Sequence, residues 1–236
     1  MCISSDAFGR PHRGGVVKAA REGGEVMFAP LAAMAAIFLV QVISCDMLLE
    51  PDYVVGLCAD NGQGNPECGT GFAIEDHKIL TARHVVRNSD GSYKTGLVVK
   101  ATQYYDHPFV GEVVYVSETY DVAIVQVKKH LDEFIPVCDS NLVQLGDRVS
   151  THKFSGTSYI ETSEGVVSKF YGDIISATAS GRPGFSGGPL MWLDREGGED
   201  CAIGVVYGQV ISTGRVLASP LTPAFQSLVK PTNAGD

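Results

Sequence analysis

The chain has 236 residues, of which 44% are hydrophobic and 19% are charged, proportions that exclude extended disorder. Its formal net charge is −9 at pH 7, so the protein would repel phosphate backbones, and nucleic acid is not expected as a partner. No cysteine and histidine cluster has the spacing of a zinc site. We therefore expect neither a metal nor another cofactor.

The chain opens with a segment that resembles an export signal. Residues 29–43 are almost wholly apolar, a stretch too short for a typical membrane span of roughly 20 residues but suited to a signal peptide. The tetrapeptide VISC at 42–45 follows and resembles a bacterial lipobox. It predicts a leader over 1–44, lipid on Cys45, and an exported protein anchored to a membrane and facing the periplasm or the cell exterior. An uncleaved N-terminal anchor and a buried core helix stay open, as does a start at Met1 or Met27.

The rest of the chain alternates short β-rich runs with turn residues, a pattern typical of a sandwich or a barrel. Most runs are five to seven residues long and rich in Val, Ile, Tyr and Thr. Helical periods occur near 82–86 and at 223–229, and a linker between two halves is expected within 128–142. The predicted strands are 53–57, 71–75, 79–82, 97–102, 112–116, 122–127, 147–151, 165–170, 173–178, 189–193, 202–206 and 215–219.

Six cysteines occur, and four of them follow residue 45: Cys58, Cys68, Cys138 and Cys201. In an oxidising compartment these four can form two disulfides in three connectivities. A Cys58–Cys68 bridge is favoured because it would close a loop rich in Gly, Asn and Pro. Four buried free thiols are the alternative.

A glycine-rich segment, GFSGGP at 184–189, surrounds Ser186. Serine needs a base to accept its proton, and the attacked carbonyl needs donors for its developing negative charge. Glycine permits the sharp bend that leaves backbone N–H groups unpaired. The segment fits a nucleophile at Ser186 and an oxyanion hole made by the amides of Gly184 and Ser186, and taken alone it fits a glycine-rich hairpin equally well.

Two further motifs offer a base and the residue that orients it. His84 follows a strand-like run and stands between small and aliphatic residues in TARHVV, as a side chain at the rim of a core would. Asp121 opens an apolar strand in DVAI, where a carboxylate is costly to bury unless a donor satisfies it. A histidine N–H is such a donor, and the carboxylate then fixes the tautomer of the ring.

Together these motifs resemble the chymotrypsin-like serine proteases, especially the bacterial trypsin-like branch related to the HtrA and Deg proteases. The matching pieces are GTGF at 69–72, TARHVV at 81–86, DVAI at 121–124 and GFSGGPL at 184–190. They stand in the family's order of His, Asp and Ser. The resemblance implies an all-β protein with two six-stranded antiparallel barrels and a short C-terminal helix. Residues 45–135 would form the first barrel with His84 and Asp121, and residues 136–236 the second barrel with Ser186. It also implies a serine endopeptidase that cleaves protein or peptide substrates through an acyl-enzyme.

The chain departs from the family pattern in ways that bear on regulation. Phe185 stands where animal trypsins carry an aspartate, so we expect no zymogen activation by a new N-terminus. No PDZ domain is expected after the second barrel. Val85 replaces the usual cysteine beside the histidine. By resemblance, Ser180 would form the floor of the primary substrate pocket and Val206, Tyr207 and Gly208 its wall, favouring a small or medium apolar residue.

The sequence leaves one alternative function open and excludes another. A protease-like fold could bind a peptide or a partner without cleaving it. An esterase of the α/β-hydrolase fold would place its histidine after the nucleophile. The last histidine is His152, which precedes Ser186, so that fold is excluded.

Overall fold

A computed structural model describes residues 51–229, apart from 63, 65, 105, 157, 158 and 194–197. The predictions made for the leader and for Cys45 lie outside the described residues. The predictions for the two barrels and their site lie inside.

The described chain forms two closed six-stranded antiparallel barrels, which confirms the predicted fold class. The first barrel contains β1 (Val54–Asp60), β2 (Pro66–Glu75), β3 (Lys78–Thr81), β4 (Thr95–Ala101), β5 (Phe109–Val116) and β6 (Ala123–Val127). The second contains β7 (Arg148–Phe154), β8 (Ile160–Tyr171), β9 (Ile174–Ser180), β10 (Pro189–Trp192), β11 (Cys201–Val210) and β12 (Arg215–Pro220).

Both barrels follow the same path through space. The strand order around the first is β1-β2-β3-β6-β5-β4, and the second repeats it as β7-β8-β9-β12-β11-β10. Each strand pairs with two neighbours around its closed barrel, and alternating apolar residues fill the interior. Residues 128–147 join the barrels and contain a single 3₁₀ turn, Ser140–Leu142.

Each barrel encloses an apolar core, and the first core continues into the second half of the chain. Phe72, Leu57 and Leu80 are fully buried in the first barrel, and Met191 and Leu221 from the second half pack against that cluster. Phe185, Leu190 and Ile203 belong to the core of the second barrel. The barrels are therefore joined by apolar contact, worth about 1.5–3 kcal/mol for each large side chain that is fully buried.

Two disulfides confirm the pairing favoured from the sequence. Cys58 and Cys68 face each other across β1 and β2 and are bonded. Cys138 and Cys201 tie the joining segment to the first residue of β11.

The described residues contain two short α-helices, α1 (Arg83–Val86) and α2 (Pro223–Val229), at the two places that the sequence predicts. Within the described ranges, neither helix is long and apolar enough to span a membrane.

Candidate active site

His84 lies on the single turn of α1, directly after β3. Val85 and Val86 are buried, which anchors the turn in the first core and leaves His84 on its outer side. The side chain of His84 is 46% exposed, so solvent and a substrate can reach the ring.

Asp121 holds His84 through two hydrogen bonds. The ring Nδ1 of His84 donates to Oδ2 of Asp121 at 2.7 Å, and the backbone N–H of His84 donates to Oδ1 at 3.0 Å. Burial would raise the pKa of Asp121, but the bonds and charge of His84, with Arg83, hold that pKa below its usual value. The carboxylate is thus ionised at neutral pH and directs Nε2 of the ring outward.

Arg83 and Lys94 fix the backbone on either side of this pair. The guanidinium of Arg83 donates to the carbonyl of Ser117 at 2.9 Å, which ties α1 to the loop that carries Asp121. The ammonium of Lys94 donates to the carbonyl of His84 at 2.9 Å and to Glu67 at 2.6 Å. Lys94 thereby binds a carbonyl that a one-turn helix leaves unpaired.

The loop that carries Ser186 is held by the first barrel. Thr70 on β2 donates its N–H to the carbonyl of Ser186 at 2.8 Å, and its hydroxyl to the carbonyl of Gly184 at 2.7 Å. The same hydroxyl accepts the N–H of Phe154 at 3.1 Å, while Thr81 donates its hydroxyl to the carbonyl of Thr70 at 2.7 Å. Thr70 therefore fixes the loop that carries Ser186, in the second barrel, against the first barrel.

Gly187 shows why this loop needs glycine. Its φ is +89°, and a methyl group there would lie 1.9 Å from the carbonyl oxygen of Thr70. Any side chain would push the loop away from the first barrel. The glycines of the motif thus serve both the bend and the close approach of the two barrels.

Two backbone donors of the turn at 184–186 have no hydrogen-bond partner among the described residues. Among the described residues, neither the N–H of Gly184 nor that of Ser186 donates to another atom, whereas Phe185, Gly187 and Gly188 all donate within the fold. Gly184 has a φ of +95°, a left-handed conformation that glycine adopts without strain. Unpaired donors beside the predicted nucleophile are what an oxyanion hole requires.

Gly69 lies between the loop that carries Ser186 and Val85, the chain neighbour of His84. A methyl group on Gly69 would lie 2.6 Å from the side chain of Val85 and 3.0 Å from the carbonyl of Ser186. Within the described part of the chain, the Ser186 hydroxyl makes no hydrogen bond to the His84 ring. Such catalytic bonds are often long in a protein without substrate and tighten when substrate binds.

A cavity of about 140 Å³ opens beside Ser186. Val206 and Gly208, both predicted pocket residues, line it with Gly181 and Pro183. Ser180 instead lies at the end of β9, where its N–H binds the hydroxyl of Ser163.

Tyr207 does not line that cavity, and its ring packs toward the first core. Burial raises the pKa of Tyr207, and the nearby Asp121 carboxylate adds to the rise. Its side chain therefore lies in the cleft between the barrels, close to the His84–Asp121 pair.

The structure adds residues that sequence analysis did not single out. Thr70 and Lys94 contact residues of the site that lie 114 and 10 positions away in the chain. Arg83 had been noted only as part of a motif. Within the described ranges, no three His, Cys, Asp or Glu side chains cluster as a metal site would need.

The fold and the site together define a class of protein, the serine hydrolases built on a double β-barrel. The features that place the chain in this class are the histidine bound to a carboxylate, the serine on a glycine-rich turn and the backbone N–H groups without a partner. The family model described as a trypsin-like peptidase domain matches residues 69–203, more than half of the chain. The protein belongs to this family and is a serine protease. No curated protein matches the sequence.

Two similar solved structures are both of Rv3671c. The structure titled as the inactive form of the Rv3671c protease is 24% identical, with a TM-score of 0.57, and covers 76% of this chain and 89% of its own. An inactive serine-to-alanine mutant of Rv3671c from M. tuberculosis H37Rv is 23% identical, with a TM-score of 0.57, and covers 78% of this chain and 90% of its own. At these identities the likeness shows the fold alone.

Proposed function

We propose that the protein is a serine endopeptidase that acts through an acyl-enzyme, with Ser186 as nucleophile, His84 as base and Asp121 as the orienting carboxylate. The observation that carries this proposal is the pair of hydrogen bonds from His84 to Asp121. They hold the ring with Nε2 directed out of the fold, where it can take a proton from a hydroxyl.

In the first half-reaction, the oxygen of Ser186 attacks the carbonyl carbon while Nε2 of His84 accepts the hydroxyl proton. The negative charge that develops on the carbonyl oxygen is stabilised by the N–H groups of Gly184 and Ser186. The amine then departs with the proton from His84, leaving an ester on Ser186. Water, activated by the same ring, hydrolyses the ester and restores the enzyme.

The second barrel has an open strand edge for the backbone of the acyl portion of a substrate and a cavity for its side chain. β11 pairs with β10 only as far as Val205 but with β12 as far as Val210. One edge of Tyr207–Val210 is therefore open, and an extended peptide can add there as a further strand. The adjoining cavity of about 140 Å³ is small, which supports a preference for a small or medium apolar side chain before the cleaved bond.

Fluorophosphonate labelling tests the proposal directly. The wild-type protein should be labelled on Ser186, and Ser186→Ala should abolish the label. Ser227→Ala is the matched control, because Ser227 is exposed on α2 away from the site. His84→Ala should slow labelling by several orders of magnitude, since the three residues act as a unit. A folded protein that neither labels nor cleaves a peptide library would instead indicate a binding module.

We also propose export, with Cys45 as the lipid-bearing residue. Support comes from the apolar segment at 29–43, the VISC tetrapeptide and the two disulfides, which persist in oxidising compartments. Labelled fatty acid should be incorporated into the wild-type chain and not into Cys45→Ser. A Cys45→Ser protein that fractionates with membranes as the wild type does would contradict the anchor.

A further inference from the structure

A second cavity, of about 210 Å³, borders the same turn, 184–186, as the cavity beside Ser186. Gly184 lines this second cavity, together with the Cys58–Cys68 disulfide and Phe154. Ser186 lines the first cavity but not the second, and Gly184 lines the second but not the first. The two cavities therefore flank the point where the substrate carbonyl would be attacked.

Two lysines face into the second cavity, one from each barrel. Lys153 on β7 packs over the oxyanion turn: a methyl group on Gly184 would lie 2.7 Å from its Cε and 3.4 Å from its Nζ. Lys100 on β4 also lines the cavity. Both side chains therefore border any part of a substrate that extends past Gly184 into this cavity.

The positive charge of this cavity is only partly neutralised. Lys153 lies 3.6 Å from Glu161, and the same carboxylate also pairs with Arg182 at 3.4 Å. Within the described ranges, Lys100 pairs with no carboxylate. Two ammonium groups thus line the cavity, and the one carboxylate near them, that of Glu161, is shared with Arg182.

The wider polar cavity next to His84 is different. Its cations Arg87 and Lys94 are paired with Glu118 and Glu67, at 3.1 and 2.6 Å. The excess of positive charge therefore distinguishes the cavity at Gly184 from the one next to His84, in a chain whose net charge is −9.

A peptide bound for cleavage has its acyl part on one side of Ser186 and its leaving amine on the other. Its acyl side chain lies in the cavity that Ser186 lines, with the backbone along the open edge of β11. The amine that departs then lies beyond Gly184, in the cavity with the lysines. A carboxylate carried by that leaving segment would reach two ammonium groups in a partly enclosed space, where charge-assisted hydrogen bonds are strong.

We propose that Lys100 and Lys153 form a subsite for a carboxylate within the first two residues after the cleaved bond. The inference rests on the proposed peptidase function and names part of its substrate class. The carboxylate is the side chain of Asp or Glu, or the C-terminal carboxylate of a short leaving peptide. Both carboxylates would accept hydrogen bonds from the same two ammonium groups.

Matched peptides with a fluorophore and a quencher test the subsite. In amidated peptides, Glu at the first or second position after the cut should raise kcat/KM about 10-fold over Gln, as expected for one charge-assisted contact. The preference should shrink to less than about 2-fold in Lys100→Gln/Lys153→Gln, and in about 0.5 M salt, which screens exposed charges. Lys169→Gln is the control, because it removes an equal charge from the exposed face of β8.

A second pair of peptides separates the two sources of the carboxylate. Peptides with Gln that end two residues after the cut are compared as free acids and as amides. A higher kcat/KM for the free acid alone would show that the subsite binds C-terminal carboxylates. A higher kcat/KM for Glu would show that it binds side-chain carboxylates, and either result supports the inference.

A small ester with an alcohol leaving group, which places nothing in this cavity, separates the two proposals. Suppose that ester hydrolysis depends on Ser186. The subsite alone would then be overturned if no carboxylate raised kcat/KM for the peptides, or if the increase in kcat/KM persisted in Lys100→Gln/Lys153→Gln. Absence of ester hydrolysis in the folded wild type would overturn the peptidase proposal and the subsite with it.

Discussion

Thr70→Val removes one hydroxyl and keeps the shape of the side chain, and we expect it to damage both stability and activity. The wild-type hydroxyl donates to the carbonyl of Gly184 and accepts the N–H of Phe154. Losing two hydrogen bonds costs about 0.5–1.5 kcal/mol each, and leaving buried groups unpaired adds to the loss. The free energy of unfolding should therefore fall by about 2–4 kcal/mol in urea denaturation.

The effect on activity has a separate cause. Without the hydroxyl, the carbonyl of Gly184 loses its partner and the oxyanion turn can shift, and losing one oxyanion donor costs about 10²–10³ in kcat. We expect fluorophosphonate labelling of folded Thr70→Val to slow about 10- to 100-fold. Thr70→Ser keeps the hydroxyl and should label at nearly the wild-type rate. Wild-type labelling kinetics in folded Thr70→Val would refute the role given to Thr70.

Three further outcomes are expected. Asp121→Asn should lower kcat about 10⁴-fold with little change in KM, because the amide cannot hold the same His84 tautomer; steady-state kinetics will show whether it does. Gly187→Ala should prevent folding to an active form, since a methyl group would meet the Thr70 carbonyl at 1.9 Å, and a soluble, labelled variant would count against this. Burial lowers the pKa of His152 to about 4 from 6.5, so the unfolded chain takes up the proton first and stability falls as pH drops below 6.5. The loss should be about 2 kcal/mol at pH 5, and denaturation of His152→Asn should lack that part of the pH dependence.

The strands could be predicted from the sequence because their signal is local. All twelve predicted runs overlap an observed strand, since Val, Ile and Thr between turn residues favour extended backbone wherever they occur. Their ends are less accurate. β8 begins at Ile160 and β2 at Pro66, well before the predicted starts at 165 and 71. Both extensions lack a run of aliphatic residues, and they are held as strand by pairing with β7 and β1.

The supporting residues of the site could not be predicted, because their partners are distant in the chain. Thr70 looks like an ordinary strand residue, and only the approach of the two barrels places its hydroxyl against Gly184 and Phe154. Lys94 looks like a solvated surface charge, yet its side chain is only 5% exposed and binds the carbonyl of His84. Sequence motifs indicate the candidate reacting groups, whereas the residues that position those groups are determined by the packing of the folded chain.

The position of the site makes activity depend on the contact between the barrels. His84 and Asp121 belong to the first barrel and Ser186 to the second, so neither half can hold all three groups. Two devices strengthen that contact: Thr70 bonds to the nucleophile loop, and apolar residues of the second half enter the first core. A substitution at this contact that leaves each barrel folded should therefore lower labelling of Ser186 before it lowers the content of β-structure.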